Sequence, residues 1–498
     1  MNYGQFLNMV PEASLVAILI ILFFADFALS KSEKKHSVLR CLTHTLLLLQ
    51  LVPCVLAEPT SVFGGLYVST AAANAMKLIL TGGTLIVAIM AQAWLKAPLS
   101  SPVGDTNAQG NEAPSGAVGG AFLYEGEFYL LLVSTLLGMY VMTSSGHFLM
   151  FFLGLEMASV PMACLVAMDK WKKDSAEAGA KYILTATFSS AIMLYGISFI
   201  YGACGTLYFD DVAAKLSVTP MTIAGLVFFF AGLGFKLSLV PFHFWTADTY
   251  QGAPTTVTAY LSVVSKGAAA FALCAILMKV FAPMIAQWEI LLYVVIVLSI
   301  TIANLFAMRQ SELKRFMAFS SISQAGYIML AVIGNSTMGI ASLMFYTLVY
   351  VAANLAVFAV INVVEQNNGG NTDRSALTGF YETNPRLSLL MTLALFSLAG
   401  IPPFAGMFSK FFVFMAAAQQ GSVWAYVVVF IALVNTVPSL YYYLLIVKEM
   451  YIKKTASPLP TFQSDTATKL ALAICTVGIV LFGVWSGIYE WLTSVAAM

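Results

Sequence analysis

GFKLSLVPFHFWTADTYQGAPTTVTAYLSVVSKGAAA, residues 234–270, sets two lysines, Lys236 and Lys266, inside long stretches of apolar and small side chains. Lys236 lies between the charge-free run 216–235 and the apolar stretch 237–242. A third lysine, Lys410, follows the segment LAGIPPFAGMFS (398–409), and one acid, Glu156, separates the uncharged runs 128–155 and 157–168. An ionised side chain near the middle of a bilayer costs at least ~2.5–3.5 kcal/mol, so such residues ordinarily mark a path for ions or protons. Lysines near a helix end snorkel to the interface, which is the expectation for Lys77 and Lys279. The flanks of Lys236, Lys266 and Lys410 are too long on both sides for that. The competing structural reading is a Glu156–Lys236 ion pair retained because buried ions are tolerated when paired.

Composition fits a membrane chain. Of 498 residues, 60% are hydrophobic and only 9% charged, and the mean hydropathy is +0.86, well outside the soluble range. The net charge of +1 argues against nucleic acid as a partner. Six cysteines stand far apart with no CxxC, which supports neither zinc nor an iron–sulfur cluster, so no metal site is expected. No glycine-rich dinucleotide loop or soluble domain is present to oxidise NADH. The N-terminus lacks the basic start of a cleavable signal, and its first apolar run reads as a retained helix.

Apolar runs of roughly 20 residues predict an all-α polytopic membrane protein with about 14 transmembrane helices. Their expected spans are 13–30, 38–57, 70–95, 126–144, 147–168, 179–203, 219–242, 254–281, 287–308, 316–334, 337–364, 386–417, 422–447 and 468–494. Polar linkers occupy 97–125 and 366–385. Basic residues concentrate in odd-numbered loops: Lys31, Lys34, Lys35 and Arg40; Lys170, Lys172 and Lys173; Arg309, Lys314 and Arg315; Lys448, Lys453 and Lys454. The positive-inside rule makes that side cytoplasmic and puts both termini outside.

Two helices are interrupted. Pro241 follows Lys236 in helix 7, and Gly400, Pro402, Pro403 and Gly406 precede Lys410 in helix 12. Proline removes a backbone donor and breaks a helix, and irregular backbone at membrane depth is tolerated only in a protein interior or a wet cavity. Paired broken spans in two halves of a chain predict inverted five-helix repeats, helices 4–8 and 9–13. The expected division is 1–125 (three helices and a linker), 126–281 (first repeat), 287–447 (second repeat) and 448–498 (a cytoplasmic loop and the last helix).

The quoted stretch closely resembles the signature of the antiporter-like membrane subunits of respiratory complex I. So do FLGLEMASVP (152–161), KRFMAFSSISQAGY (314–327) and LAGIPPFAGMFSKFF (398–412). Three helices ahead of the repeat and the tail SLYYYLLIVKEMY (439–451) resemble the N-type branch of that family. The resemblance implies that Glu156 and Lys236 form a charge pair, that Lys266 is the central lysine, and that Lys410 ends a proton relay. Lys181, His243 and His147 fall on family positions as modulators of that relay. Gln324 stands where many relatives carry histidine, and Ala247, Met407 and Ser409 also depart from the pattern. By the same resemblance, other membrane-arm subunits of the complex, among them a neighbouring antiporter-like subunit, and membrane lipids are the partners. NADH, FMN, iron–sulfur clusters and quinone belong to other subunits, with no cofactor in this chain, and the expected site is a bacterial inner membrane.

Three other readings remain open at this stage. A subunit of a multi-subunit cation/proton antiporter would share the same lysines. A stand-alone transporter would place a substrate at the broken helices, and a haem-carrying cytochrome would need facing histidines from only four.

Overall fold

A computed structural model of the chain describes residues 3–32, 34–96, 124–169, 172–455 and 458–497; the linker expected at 97–125 lies outside them but for its last two residues. Thirteen described helices are long and apolar enough to cross a membrane. A fourteenth crossing, helix 12, consists of two shorter pieces, Pro385–Ala399 and Ala405–Ala418. The crossings follow the apolar runs because each such run must cover its surface with lipid or with another helix.

Helices 4 (Glu125–Thr143) and 5 (Phe148–Val166) pack through small residues: a Cβ added to Gly138 would lie 2.3 Å from the Ala158 amide nitrogen. Helix 6 (Lys173–Cys204) meets helix 7 in the same way, Gly196 lying against the backbone of Phe229. Without a hydrophobic drive between helices in lipid, such close backbone approach supplies the contact. Helices 8 (Thr255–Lys279), 10 (Leu313–Ile333) and 11 (Thr337–Asn367) fill the centre and are almost wholly enclosed. Helices 4–8 and 9–13 contain five crossings each. Because five is odd, the second set begins on the opposite side of the membrane from the first, and the two run inverted.

Helix 7 departs from its expected span. It ends at Leu237, Ser238 takes a left-handed conformation (φ 60°), and a second piece resumes at Phe244–Gly252. The last span also differs: 468–494 is not one helix but two, Thr466–Val484 and Gly487–Ala496. Gly483 lies so close to the helix 12 break that a Cβ would meet the Pro403 carbonyl oxygen at 2.6 Å. The chain turns there, and Tyr489 stacks on Phe412 with ring centroids 3.7 Å apart.

The N-terminal part corrects another expectation. Between helix 2 (Lys35–Leu56) and helix 3 (Ala71–Lys96), a hairpin pairs β1 (Thr60–Val62) with β2 (Tyr67–Ser69). It covers the start of helix 3, so Lys77 has no interface to reach and is fully buried. Its ammonium instead pairs with Glu12 of helix 1 (Val10–Ala28) at 2.7 Å. It also donates to Tyr67 Oη, Ser69 Oγ and Asn74 Oδ1, each at 3.2 Å. Lys279 does snorkel: it is half-exposed and pairs with Asp210.

At the end bearing the odd-numbered loops, ion pairs tie helix ends and loops together. Lys35 meets Asp26, Lys96 meets Asp465, Arg315 meets Asp248, and Arg374 meets Glu449.

Candidate functional site

Helix 7 positions Lys236 in its last turn, one residue before the helix gives way. The irregular backbone that follows is provided for: Ser299 Oγ accepts from the Val240 amide at 2.9 Å, and Trp245 Nε1 donates to the Phe235 carbonyl at 3.1 Å. Lys236 is buried and donates to Ser159 Oγ at 2.6 Å and to Tyr182 Oη at 2.9 Å. Ser159 stands three residues after Glu156, hence on the same face of helix 5. Glu156 thus lies on the face of helix 5 that meets Lys236 through Ser159. No ion pair joins them among the described residues, and Glu156 Oε1 is buried without a hydrogen-bond partner there.

Lys266 follows a π-helical turn, Leu261–Ser265, a local distortion that often accompanies functional positions. Its ammonium donates to Ser321 Oγ of helix 10 at 2.7 Å and lies 5.4 Å from the Tyr250 ring centroid. Ser321 Oγ is in turn 3.4 Å from Tyr250 Oη. Tyr182, Trp245 and Tyr250 form a continuous aromatic row, with centroids 5.3 and 6.4 Å apart, leading from Lys236 to Lys266.

Lys410 lies beyond the helix 12 break. Gly400 there has φ 90°, a conformation that favours glycine, and Ala399 ends the first piece. The carbonyl left free at that end, Ala399 O, accepts from Lys410 Nζ at 2.8 Å, and the Tyr327 ring centroid lies 5.0 Å from the ammonium. Gln324 stands one turn of helix 10 beyond Ser321, the partner of Lys266, and shares a cavity with Lys410. Its amide donates to the Leu398 carbonyl and to Tyr443 Oη, both at 3.2 Å, while its oxygen accepts from Tyr346 Oη. Gln324, Tyr346, Tyr350, Ser397 and Lys410 enclose a cavity of about 10 Å³, room for about one water.

Ser238, Ser265, Tyr350 and Ser397 have buried hydroxyls with no partner among the described residues. They occur at the helix 7 break, before Lys266, in the Lys410 cavity and at the helix 12 break. Buried polar groups of this kind are ordinarily met by water.

The modulators named from sequence are placed differently. Lys181 sits at the end bearing the basic loops, paired with Asp248 at 2.7 Å and Glu177 at 2.6 Å, beside a polar cleft that Arg315 also lines. His147 caps helix 5, its Nδ1 accepting from the Leu149 amide at 3.1 Å, and its ring packs on Tyr208. His243 packs on Phe244 within the helix 7 break, its Nδ1 unpartnered among the described residues. Neither histidine makes a hydrogen bond or ion pair with Lys236, Lys266 or Lys410 among the described residues. Sequence reading missed Ser159, Tyr182, Tyr250, Ser321 and Asp248. Ser159 had a signal in its three-residue spacing from Glu156; the others become visible only through contacts between distant helices.

The family described as NADH:quinone oxidoreductase/Mrp antiporter, TM matches residues 145–436, a stretch containing Glu156 and all three lysines. Over the full length of both proteins, the chain is 56% identical to NADH-quinone oxidoreductase subunit N of Phocaeicola vulgatus. The chain belongs to the subunit N family of NADH-quinone oxidoreductases. Among solved structures, a chain of respiratory complex I from Thermus thermophilus, solved with bound aureothin, is 29% identical; its TM-score is 0.76, covering 96% of this chain and 97% of that one. A chain of the Mrp complex from Dietzia sp. DQ12-45-1b reaches a TM-score of 0.81 over 100% and 97% of the two chains, at 19% identity. That likeness establishes the shared fold alone, so full-length identity rather than shape places the chain in the subunit N family.

Proposed function

We propose that this chain translocates protons across a membrane as a membrane-arm subunit of a respiratory NADH–quinone oxidoreductase, through a relay from Glu156 and Lys236 by way of Lys266 to Lys410. The observation that carries the reading is the buried row itself. Three ammonium groups from three helices are each held by hydroxyls, aromatic faces or a carbonyl freed at a helix break. Orphaned hydroxyls stand along the way.

Lys236 has two competing sets of partners. Moving it onto Glu156 gives up its bonds to Ser159 and Tyr182, each worth about 1.5–3 kcal/mol when the donor is charged. A direct ion pair at ~4 Å returns about 4 kcal/mol at an effective dielectric near 20. The two arrangements are therefore nearly balanced, which a switch requires. A carboxylate contact favours the charged lysine, and burial without it favours the neutral one. Energy released by quinone reduction elsewhere in the complex biases the balance. The proton of Lys236 passes along Tyr250, Ser321 and water to Lys266, then past Gln324 to Lys410, which releases it on the far side. Lys181 and Asp248 at the polar cleft modulate the entrance.

The redox cofactors (NADH, FMN, iron–sulfur clusters, quinone) reside in other subunits, and the neighbours include another antiporter-like subunit. The basic odd-numbered loops set the orientation, with both termini on the outer face of a bacterial inner membrane. Residues 126–281 and 287–447 act as the two halves of the translocating unit.

The test is the number of protons pumped per electron in proteoliposomes containing the complex with Lys236→Ala. The reading requires that number to fall, and an unchanged value refutes the relay. The second reading, a cation/proton antiporter subunit, rests on the family match, whose description takes in Mrp antiporters as well as NADH:quinone oxidoreductases. A native gel of mildly solubilised membranes separates the two. Co-migration of the tagged chain with a large NADH-oxidising band supports the oxidoreductase, and a smaller inactive assembly supports the antiporter.

A further inference from the structure

A groove of about 660 Å³ opens between the start of helix 12 and the Thr466–Val484 helix, at the end of the molecule that carries the basic loops. Two cations, Arg386 and Lys469, line it, and among the described residues no acidic one does. Neither has a carboxylate partner among the described residues, whereas Lys96, Arg374 and Lys453 nearby do. Gln463 and Ser464, from the segment joining helix 13 to that final span, add an amide and a hydroxyl to the same lining. Leu472 and Val477 continue down the same helix from Lys469, and Leu390 lies one turn below Arg386. Eight residues separate Lys469 from Val477, about 12 Å along a helix at 1.5 Å per residue. The groove therefore begins in positive charge and hydrogen-bond donors and deepens into an apolar floor.

We propose that this groove is a binding site for one anionic phospholipid, with its phosphate between Arg386 and Lys469 and one acyl chain along Leu390, Leu472 and Val477. Charge complementarity selects this occupant. Basic recesses between membrane helices suit anionic headgroups, each basic residue contributing about a fivefold gain in binding. A protein partner on a surface lined by two cations and no acid would have to bring carboxylates into the bilayer interface, whereas an anionic lipid is supplied by the membrane itself. The site lies apart from the lysine relay, and the proposal stands whether or not the relay reading does.

The test uses the intact complex, purified with this chain tagged, delipidated, and re-equilibrated with vesicles of phosphatidylcholine containing 20% phosphatidylglycerol. Retained phospholipid is counted by native mass spectrometry. R386Q/K469Q is expected to weaken retention of one phosphatidylglycerol about thirty-fold, the product of two such contributions. Ala473→Trp, which fills the groove and leaves both cations in place, is expected to lose the same lipid. Glycerol phosphate, which has the headgroup chemistry and no acyl chain, is expected not to displace it; displacement overturns the lipid assignment in favour of a simple anion site. Unchanged lipid counts in both variants overturn the proposal. So does loss of a protein subunit from the complex with lipid retained, which would make the groove a protein interface.

Discussion

Replacing Lys77 with methionine removes half of an ion pair whose other half is buried. Glu12 and Lys77 are both buried, 2.7 Å apart, and Glu12 Oε2 also accepts from Tyr67 Oη at 2.8 Å. At that separation the attraction is about 6 kcal/mol for an effective dielectric near 20, offset by the cost of desolvating both ions. Removing one partner strands the other, and the net penalty for that is roughly 3–5 kcal/mol. Lys77→Met and Glu12→Leu should each destabilise by that amount. The double variant should sit within about 2 kcal/mol of the parent, because a buried pair replaced by apolar groups leaves nothing stranded. Equilibrium denaturation by SDS in mixed micelles, followed by tryptophan fluorescence, measures all four corners of the cycle. Additive penalties, or a cost below about 1 kcal/mol for either single change, would refute the argument that this pair pins helix 1 to helix 3. Protons pumped per electron should stay unchanged in the Lys77→Met complex that survives purification, since the pair lies outside the relay.

Tyr182→Phe removes one of two hydrogen bonds to Lys236, tilting the balance towards Glu156 by about 1.5–3 kcal/mol. Proton pumping should slow by roughly ten- to a hundred-fold, with quinone reduction measured in parallel, and an unaltered pumping rate would count against the two-partner switch. Gly406→Val should prevent the chain from assembling, because a Cβ there would come 1.6 Å from the Ser397 carbonyl oxygen. Gly82→Ala, where nothing lies within 4 Å, should be tolerated or gain up to about 1 kcal/mol; expression and gel filtration read both. Asp248→Asn loosens contacts to Lys181 and Arg315 that are about a third exposed or more. Its stability cost should be below about 1 kcal/mol and should vanish in high salt, checked by melting at two ionic strengths.

Much of this protein is written along the chain because lipid reads hydropathy one residue after another. The apolar runs fix the crossings, glycine and proline near 241 and 400–406 mark the breaks, and uncharged flanks single out Glu156, Lys236, Lys266 and Lys410. The inversion of helices 9–13 relative to 4–8 follows from counting, since five crossings put the next helix on the opposite side. Partners are another matter. Ser159 lies 77 residues from Lys236, and Ser321 lies 55 from Lys266; hydropathy along one helix does not say which face meets which neighbour. For that reason the tertiary structure alone decided that Lys236 rests on Ser159 and Tyr182 rather than on Glu156. Lys77 makes the same point. Near a helix end its sequence reads as a snorkelling lysine, and only the hairpin folded over that end, with Glu12 brought in from helix 1, turns it into a buried ion pair.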